Sequence, residues 1–389
     1  MHVGRTVFAQ VMEHFPAYEF QKCVARYDGD FRKRRFSCWD QFLCLGFAQL
    51  TYRESLRDIE ACLRSVKPKL YHMGFRGRIS RSTLADANES IDCRIFADFA
   101  QVLIAIARPM YADESLGFDL DSTVYALDST TIGLCLSVFP WARFQFTNGA
   151  VKLHTLLDLR GSIPAFIGVS DGKRPDVSIL DDIPPEPGAF YVMDRAYLDF
   201  ARLHLFHRAG ALFVTRTKAD IQMHRCSSRP VDKSTGLRSD QTVLLTTPFS
   251  RNNYPEPLRR IRFYDAEQRR SLGFLTNNFD LPALTIAHLY KSRWKVELFF
   301  KWIKQHLRIK AFYGTSENAV KTQLWIAIAI YVLVAILKKR LALDATLHQI
   351  LQVLSITLFE KTPILRAFNH TPSQPESTPP SNQMNLIGF

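Results

Sequence analysis

The reading of the fold turns on Tyr290-Lys-Ser-Arg293-Trp294-Lys-Val-Glu297-Leu-Phe-Phe-Lys-Trp-Ile-Lys304. Its periodicity places it in a long helix running from near Pro282 to about Leu307. At about 100° per residue, Arg293, Glu297 and Lys304 lie at about −60°, −20° and −40° from Tyr290, so all four project from one arc of about 60°. Phe299, Phe300, Ile303 and the Trp rings supply an adjacent face that anchors the helix to a core. One carboxylate on a stripe with a Tyr, an Arg and a Lys suits phosphate chemistry: the Glu binds a cation, and the others grip phosphate oxygens. The plain alternative is an Arg293–Glu297 salt-bridge ladder at i,i+4, worth a few tenths of a kcal/mol (about 0.2–0.5).

Two carboxylates outside the helix give the stripe a context. Asp128 lies within the apolar run Val124-Tyr-Ala-Leu-Asp-Ser, and Asp194 ends Ala189-Phe-Tyr-Val-Met-Asp. An unpaired carboxylate buried in a strand costs several kcal/mol, roughly 2–7, so each needs a cation, a basic partner or a metal. Asp128, Asp194 and Glu297 together could hold two divalent ions about 3.5–4 Å apart, the arrangement that serves phosphodiester displacement. Oxygen ligands alone favour Mg²⁺ or Mn²⁺ over zinc. Other candidates read more simply. Asp158 beside a hairpin turn reads as a turn or surface residue, and Asp119 and Asp121 as solvated loop acids. His204 and His207 lack a third ligand, and Cys38 and Cys44 read as small core residues.

Tyr290-x2-Arg293-x3-Glu297-x6-Lys304 matches, at every spacing, the YREK signature of DDE transposases from bacterial insertion sequences. ALDSTTI around Asp128 and MDRAYLDF around Asp194 resemble that family's first and second catalytic-Asp segments. The resemblance covers about Asp119 to Leu307, and extends more weakly to TYRESLRDIEACL and SRSTLADANES. It implies an RNase H-like core, with Asp128 and Asp194 on neighbouring strands as catalytic metal ligands and Glu297 on a helix beside them. It implies DNA contacts from Tyr290, Arg293, Trp294 and Lys304. Partners would be double-stranded DNA, as element terminal repeats and as target, with a homodimer in the DNA complex. Two departures stand out. Many relatives have Gly in place of Ala196. Members of the family can also use an insertion-domain Trp to receive a flipped base, whereas no Trp occurs here between Trp141 and Trp294. Tyr254, Phe263, Tyr264 or Trp294 would have to stack instead.

The expected organisation is α/β: an RNase H-like mixed sheet flanked by helices, with a β-rich insertion and an N-terminal helical DNA-binding region. Residues 1–115 read as helical and basic, with Ser82 and Asp86 as caps and Arg32-Lys33-Arg34-Arg35 as the densest charge. Residues 116–217 and 272–360 form the catalytic domain. VYALDS, VKLHTLLDL, SIPAFIGVS, AFYVMD and ALFVTRT are its strands, Leu159–Ser162 a hairpin turn and 198–208 a helix. Residues 218–271 form the insertion, with eleven Lys/Arg against six Asp/Glu over 218–270. Residues 370–389 form a Pro/Ser-rich tail expected to be disordered.

The 389-residue chain has 50 Lys+Arg against 37 Asp+Glu, a net +13, which calls for a polyanionic partner. Eleven Lys/Arg and two acids fall between Lys291 and Arg340, on and after the Glu297 helix, as a DNA-binding face requires. Seven cysteines without a CxxC pair argue against a disulfide framework and for reduced thiols in a cytosolic protein, and the transposase resemblance implies a bacterial, nucleoid-associated one. MHVGRTVFAQVMEHF carries Glu13 and lacks a continuous apolar run, so no signal peptide is expected. The longest apolar run, Leu324–Leu337, is shorter than the roughly 18–20 residues of a membrane span, so it reads as a buried helix and no membrane partner is expected. Two rival functions remain: a non-mobile RNase H-like nuclease, and a transposase-derived DNA-binding protein without catalysis.

Overall fold

Short polar side chains start the N-terminal helices. Thr6, Ser37, Ser55, Ser80 and Asp92 each place an oxygen on a first-turn amide, satisfying donors a helix start leaves open. They begin α1 (Val7–Met12), α3 (Cys38–Leu50), α4 (Leu56–Ser65), α5 (Arg81–Ser90) and α6 (Cys93–Met110), while α2 (Ala17–Arg26) follows Pro16. The caps of α5 and α6 are thus Ser80 and Asp92; of the expected caps, Ser82 lies two residues inside α5 and Asp86 in its middle. The structure, a computed structural model, describes residues 4–75, 77–117, 120–142, 149–218, 220–306 and 312–368, and no side chain at 305 or 306. Arg76, Asp119, Leu307 and the segment 370–389 lie outside the described residues.

The central sheet begins with β1 (Val124–Leu134), β2 (Gly149–Asp158) and β3 (Ile163–Asp171), which pair antiparallel. The turn between β2 and β3 needs glycine: Gly161 has φ +71, and a Cβ there would stand 2.1 Å from the Tyr111 ring. β4 (Phe190–Met193) then returns parallel to β1, and β5 (Leu212–Arg216) parallel to β4. A helix, α7 (Phe200–Arg208), makes the crossover between β4 and β5, as parallel neighbours require. The strand order β3-β2-β1-β4-β5 is the RNase H-like arrangement.

Residues 218–271, with the rest of a strand that runs on to Thr276, extend this sheet. β6 (Met223–Arg229), β7 (Leu237–Leu245), β8 (Leu258–Asp265) and β9 (Arg270–Thr276) continue it antiparallel, with β9 hydrogen-bonded to β5, giving one nine-stranded sheet. A short helix, α8 (Pro248–Asn253), lies between β7 and β8.

The long helix expected from Pro282 is two helices, α9 (Ala283–Ser292) and α10 (Trp294–His306), joined at Arg293. The Arg293 amide bonds back to the Tyr290 carbonyl, and the Val296 amide to the Arg293 carbonyl, three residues back in each case. That tighter turn interrupts the i→i−4 ladder. α11 (Glu317–Arg340), α12 (Leu347–Thr357) and α13 (Ile364–Phe368) follow. α11 is longer than its apolar run and is long and apolar enough to cross a membrane, yet 94% of its most apolar 18-residue window is buried inside the protein. It packs against α3, α5, α6, α12 and β3, so the N-terminal helices and one face of the sheet share a single core. The opposite face carries a second core under α7, built from Tyr125, Leu127, Tyr191, Met193 and Phe206.

Candidate active site

Three parallel strands end side by side. Leu127 pairs with Met193, and Met193 with Thr215, so the next register step brings Asp128, Asp194 and Arg216 into one row. Neighbouring strands lie about 4.8 Å apart, and residues in register share a face. Val124, Ala126, Phe190 and Val192 show which face, because all four belong to the core beneath α9–α11. α9 contacts β4 and β5, and α10 contacts β1, which delivers the 290–304 stripe to this row.

The side chains interlock. The Tyr290 hydroxyl donates to Asp194 Oδ1 at 3.2 Å. Its ring lies against Phe274 at 4.8 Å between centroids, and burial pushes its hydroxyl pKa up to about 12. Arg293 donates from Nη1 to Asp128 Oδ2 at 2.8 Å and from Nη2 to Glu297 Oε1 at 2.6 Å. Because one planar guanidinium makes both bonds, these carboxylates are at most about 8 Å apart. The remaining guanidinium nitrogen, Nε, is buried without a hydrogen-bond partner among the described residues. Asp128 Oδ1 also accepts the Ser129 amide at 2.8 Å. Burial raises the Asp128 carboxyl above its ordinary range, Arg293 and the Ser129 amide oppose that, and Glu297 and Asp194 add to it. Lys304 Nζ donates to the Thr131 carbonyl at 3.1 Å, farther along β1. Trp294 points off the stripe and is 56% exposed.

Among the described residues no three Asp, Glu, His or Cys side chains are close enough together to hold a metal ion. The Arg293 guanidinium bridges Asp128 and Glu297 and supplies their positive charge. The donor set nevertheless suits a hard divalent cation: it is all oxygen, and Asp128 is a half-buried carboxylate whose charged form burial disfavours even beside Arg293.

The other candidates separate. Asp158 is buried at 8% exposure, contrary to the surface reading. It accepts the Arg160 amide at 3.0 Å and faces Arg108 at 3.7 Å, so it ties down the hairpin turn. His204 pairs with Glu256, and His207 with the Tyr254 hydroxyl, each with its own partner. Tyr254 and Phe263 are buried, and Arg238 lies over the Tyr264 ring, leaving Trp294 as the exposed ring of that set. Phe249, 79% exposed on α8, was not singled out, because a lone Phe in a polar stretch carries no pattern.

Arg216 was also missed, although it stands 4.0 Å from Asp194. Its signal was there to read: LFVTR ends on a charged residue as VYALD and FYVMD do. Behind Asp128, Ser129 Oγ donates to Asp176 and Lys152 reaches the same carboxylate.

Residues 119–333, more than half of the chain, match the "Transposase DDE domain" family, and residues 3–76 match a domain of unknown function, DUF4372. A candidate transposase, y4zB, of Sinorhizobium fredii is 30% identical over 79% of this chain and 85% of its own length. A candidate transposase for insertion sequence element IS5377 of Geobacillus stearothermophilus is 36% identical over 53% of this chain and 54% of its own. The piggyBac transposase synaptic complex with hairpin DNA overlays with a TM-score of 0.48 at 9% identity, covering 94% of this chain and 82% of that one, below the level of a shared fold. The chain belongs to the DDE transposases of bacterial insertion-sequence elements.

Proposed function

We propose that this transposase binds the terminal inverted repeats of its element, cleaves the DNA there, and joins the freed 3′-hydroxyl to target DNA. The observation that carries the reading is the row of Asp128 and Asp194 on adjacent parallel strands, with Glu297 tethered to Asp128 through Arg293. Asp128, Asp194 and Glu297 are the ligands we assign to two Mg²⁺ or Mn²⁺ ions, which would supply activation of the attacking oxygen and stabilisation of the leaving one. Tyr290 and Arg216 orient Asp194 from two sides. Arg293 and Lys304 have the charge and reach to bind phosphate oxygens flanking the scissile bond. In cleavage, a water oxygen bonds to phosphorus as the bond to the 3′ oxygen breaks. In joining, that 3′-hydroxyl loses its proton and its oxygen bonds to a target phosphorus as the target strand's bond to its own 3′ oxygen breaks, releasing a target 3′-hydroxyl. Neither step needs a covalent enzyme intermediate.

The helical region 1–115 is assigned to the terminal repeats, 116–217 with 272–360 to chemistry, and 218–271 to an insertion supporting the DNA path. A homodimer would hold two element ends together. Trp294, exposed beside Arg293, is the ring we assign to stacking on a displaced base.

The test uses purified full-length protein, Mg²⁺ and a labelled duplex carrying one element end plus a target plasmid. Cleavage and joined product are expected from the wild type, and neither from Asp194→Asn. Cleavage without joining would demote the protein to a nuclease. Binding without either reaction would leave a DNA-binding protein.

A further inference from the structure

The loop between α2 and α3 carries Arg32-Lys33-Arg34-Arg35 and is held firmly. Gly29 pins it to the core, since a Cβ there would lie 2.4 Å from Ile95 Cδ1. The Phe31 amide bonds to the Asp28 carbonyl at 2.9 Å and the Lys33 amide to the Asp30 carbonyl at 3.1 Å. Arg32 takes a left-handed φ of 57°, a conformation costing a side-chain-bearing residue about 1–2 kcal/mol that glycine would avoid. Strain in a pinned loop that presents four consecutive cations is a place to look for a ligand.

The loop forms one wall of a cleft of about 630 Å³, lined by Lys33, Arg34, Arg35, Phe36, Trp39 and Arg78. Arg34, Arg35 and Arg78 are exposed, and among the described residues their side chains make no hydrogen bond or close ion pair, although Arg78 stands near enough to Glu60 to help lower that carboxyl's pKa. Arg26, Arg64 and Arg94 nearby each bond an acid. Asp30 and Asp40 also line the cleft and keep their charge, Asp30 acting on Lys33, but their hydrogen bonds go to the loop and helix start rather than to an arginine. Asp30 accepts the Cys38 amide at 2.7 Å, and Asp40 accepts the Ser37 amide at 2.8 Å and hydroxyl at 2.7 Å. Burial holds the Lys33 ammonium below its ordinary pKa, a sign that the cleft wall is partly desolvated.

We propose that this cleft seats the phosphate backbone of the element-end duplex, with Arg34, Arg35 and Arg78 as the phosphate contacts; this rests on the transposase reading above. Three exposed guanidiniums around one cleft on a rigid frame each present a planar fork that fits phosphate oxygens. The cleft shares no lining residue with the carboxylate row, so binding here can be measured separately from chemistry.

The experiment measures binding of the full-length protein, without metal and over a series of salt concentrations, to two duplexes. One carries an inverted repeat from beside the gene, and the other is a shuffled sequence of the same composition. With Arg34→Ala, Arg35→Ala and Arg78→Ala combined, both affinities should fall at least tenfold near 0.1 M salt. The slope of log K against log salt should become shallower by about 2.7, about 0.9 for each of three phosphates. The three Arg→Lys replacements should keep the slope, because charge rather than shape sets it. Single Ala variants, each removing about 0.9, decide the matter if the triple variant misfolds. An unchanged slope in the Ala variants, with a wild type that binds and cuts, would overturn the cleft alone. A wild type that binds but neither cuts nor joins would overturn the transposase reading and leave the cleft standing on its slope. A wild type that binds neither duplex would overturn both.

Discussion

Arg293 bonds two carboxylates at once, and that geometry changes what its substitution should do. A guanidinium already shared by Asp128 and Glu297 has little charge to spare for DNA. Arg293→Ala should therefore leave metal-free binding of an element end nearly unchanged. In Ca²⁺, which takes the same oxygen ligands, the cation would compensate the carboxylates and free the guanidinium for phosphate. There the same substitution should flatten the salt dependence by about one contact, about 0.9 in slope. Equal slopes for wild type and variant in Ca²⁺ would end this reading. Glu297→Gln should abolish cleavage in Mg²⁺ while leaving metal-free binding unchanged or several-fold tighter, since it removes a negative charge beside the phosphate. A Glu297→Gln protein that still cuts would reduce the Arg293–Glu297 pair to an ordinary helix salt bridge. Both readings of that pair were open in the sequence. The structure shows the bond, but it also shows the same guanidinium on Asp128, which an isolated helix ladder does not explain.

Individual elements differ in how much of themselves the sequence displays. β1 and β4 were legible because their apolar runs are buried on both faces, the mark of a central parallel pair. β6 was not: Met223–Arg229 is a solvent-facing edge strand with almost no apolar residue, held by backbone pairing to β7. The break at Arg293 was hidden too, since no Gly or Pro marks it and only the 3₁₀-like bonds reveal it. β2 supplies a test at this scale. His154 is fully buried opposite Ser129, its Nε2 bonds Ser170 at 2.9 Å, and burial lowers its pKa to about 4. A histidine depressed in the folded state stabilises the fold above its unfolded pKa of about 6.5 and loses that contribution as pH falls toward 4. The loss approaches about 3 kcal/mol, so the thermal midpoint should drop between pH 7 and pH 4.5. His154→Gln should lower the midpoint at pH 7 but flatten its fall with acid. Parallel curves for the two proteins would mean that other groups set the acid limb.

Across the whole molecule, the helical N-terminal region and the sheet are mechanically one body. α11 crosses between them, and eighteen of its residues are buried, from Ala319 to Leu337. Removing residues 1–110 would look like a direct way to separate end recognition from chemistry, but those residues include α3, α5 and α6, which cover α11. Leaving a large aliphatic side chain exposed rather than buried costs about 1.5–3 kcal/mol, so uncovering even four or five of them consumes a typical net stability of about 5–15 kcal/mol. The truncated chain is therefore expected to aggregate or to lack a cooperative melt, as read by light scattering and by circular dichroism against temperature. The contrast is a surface variant of the same region: Arg57→Ala on the exposed face of α4 should melt within about 0.5 kcal/mol of wild type. A truncated protein that stays monomeric and melts sharply would show that α11 finds another cover, and the helical region would then be a separable module rather than half of the catalytic core.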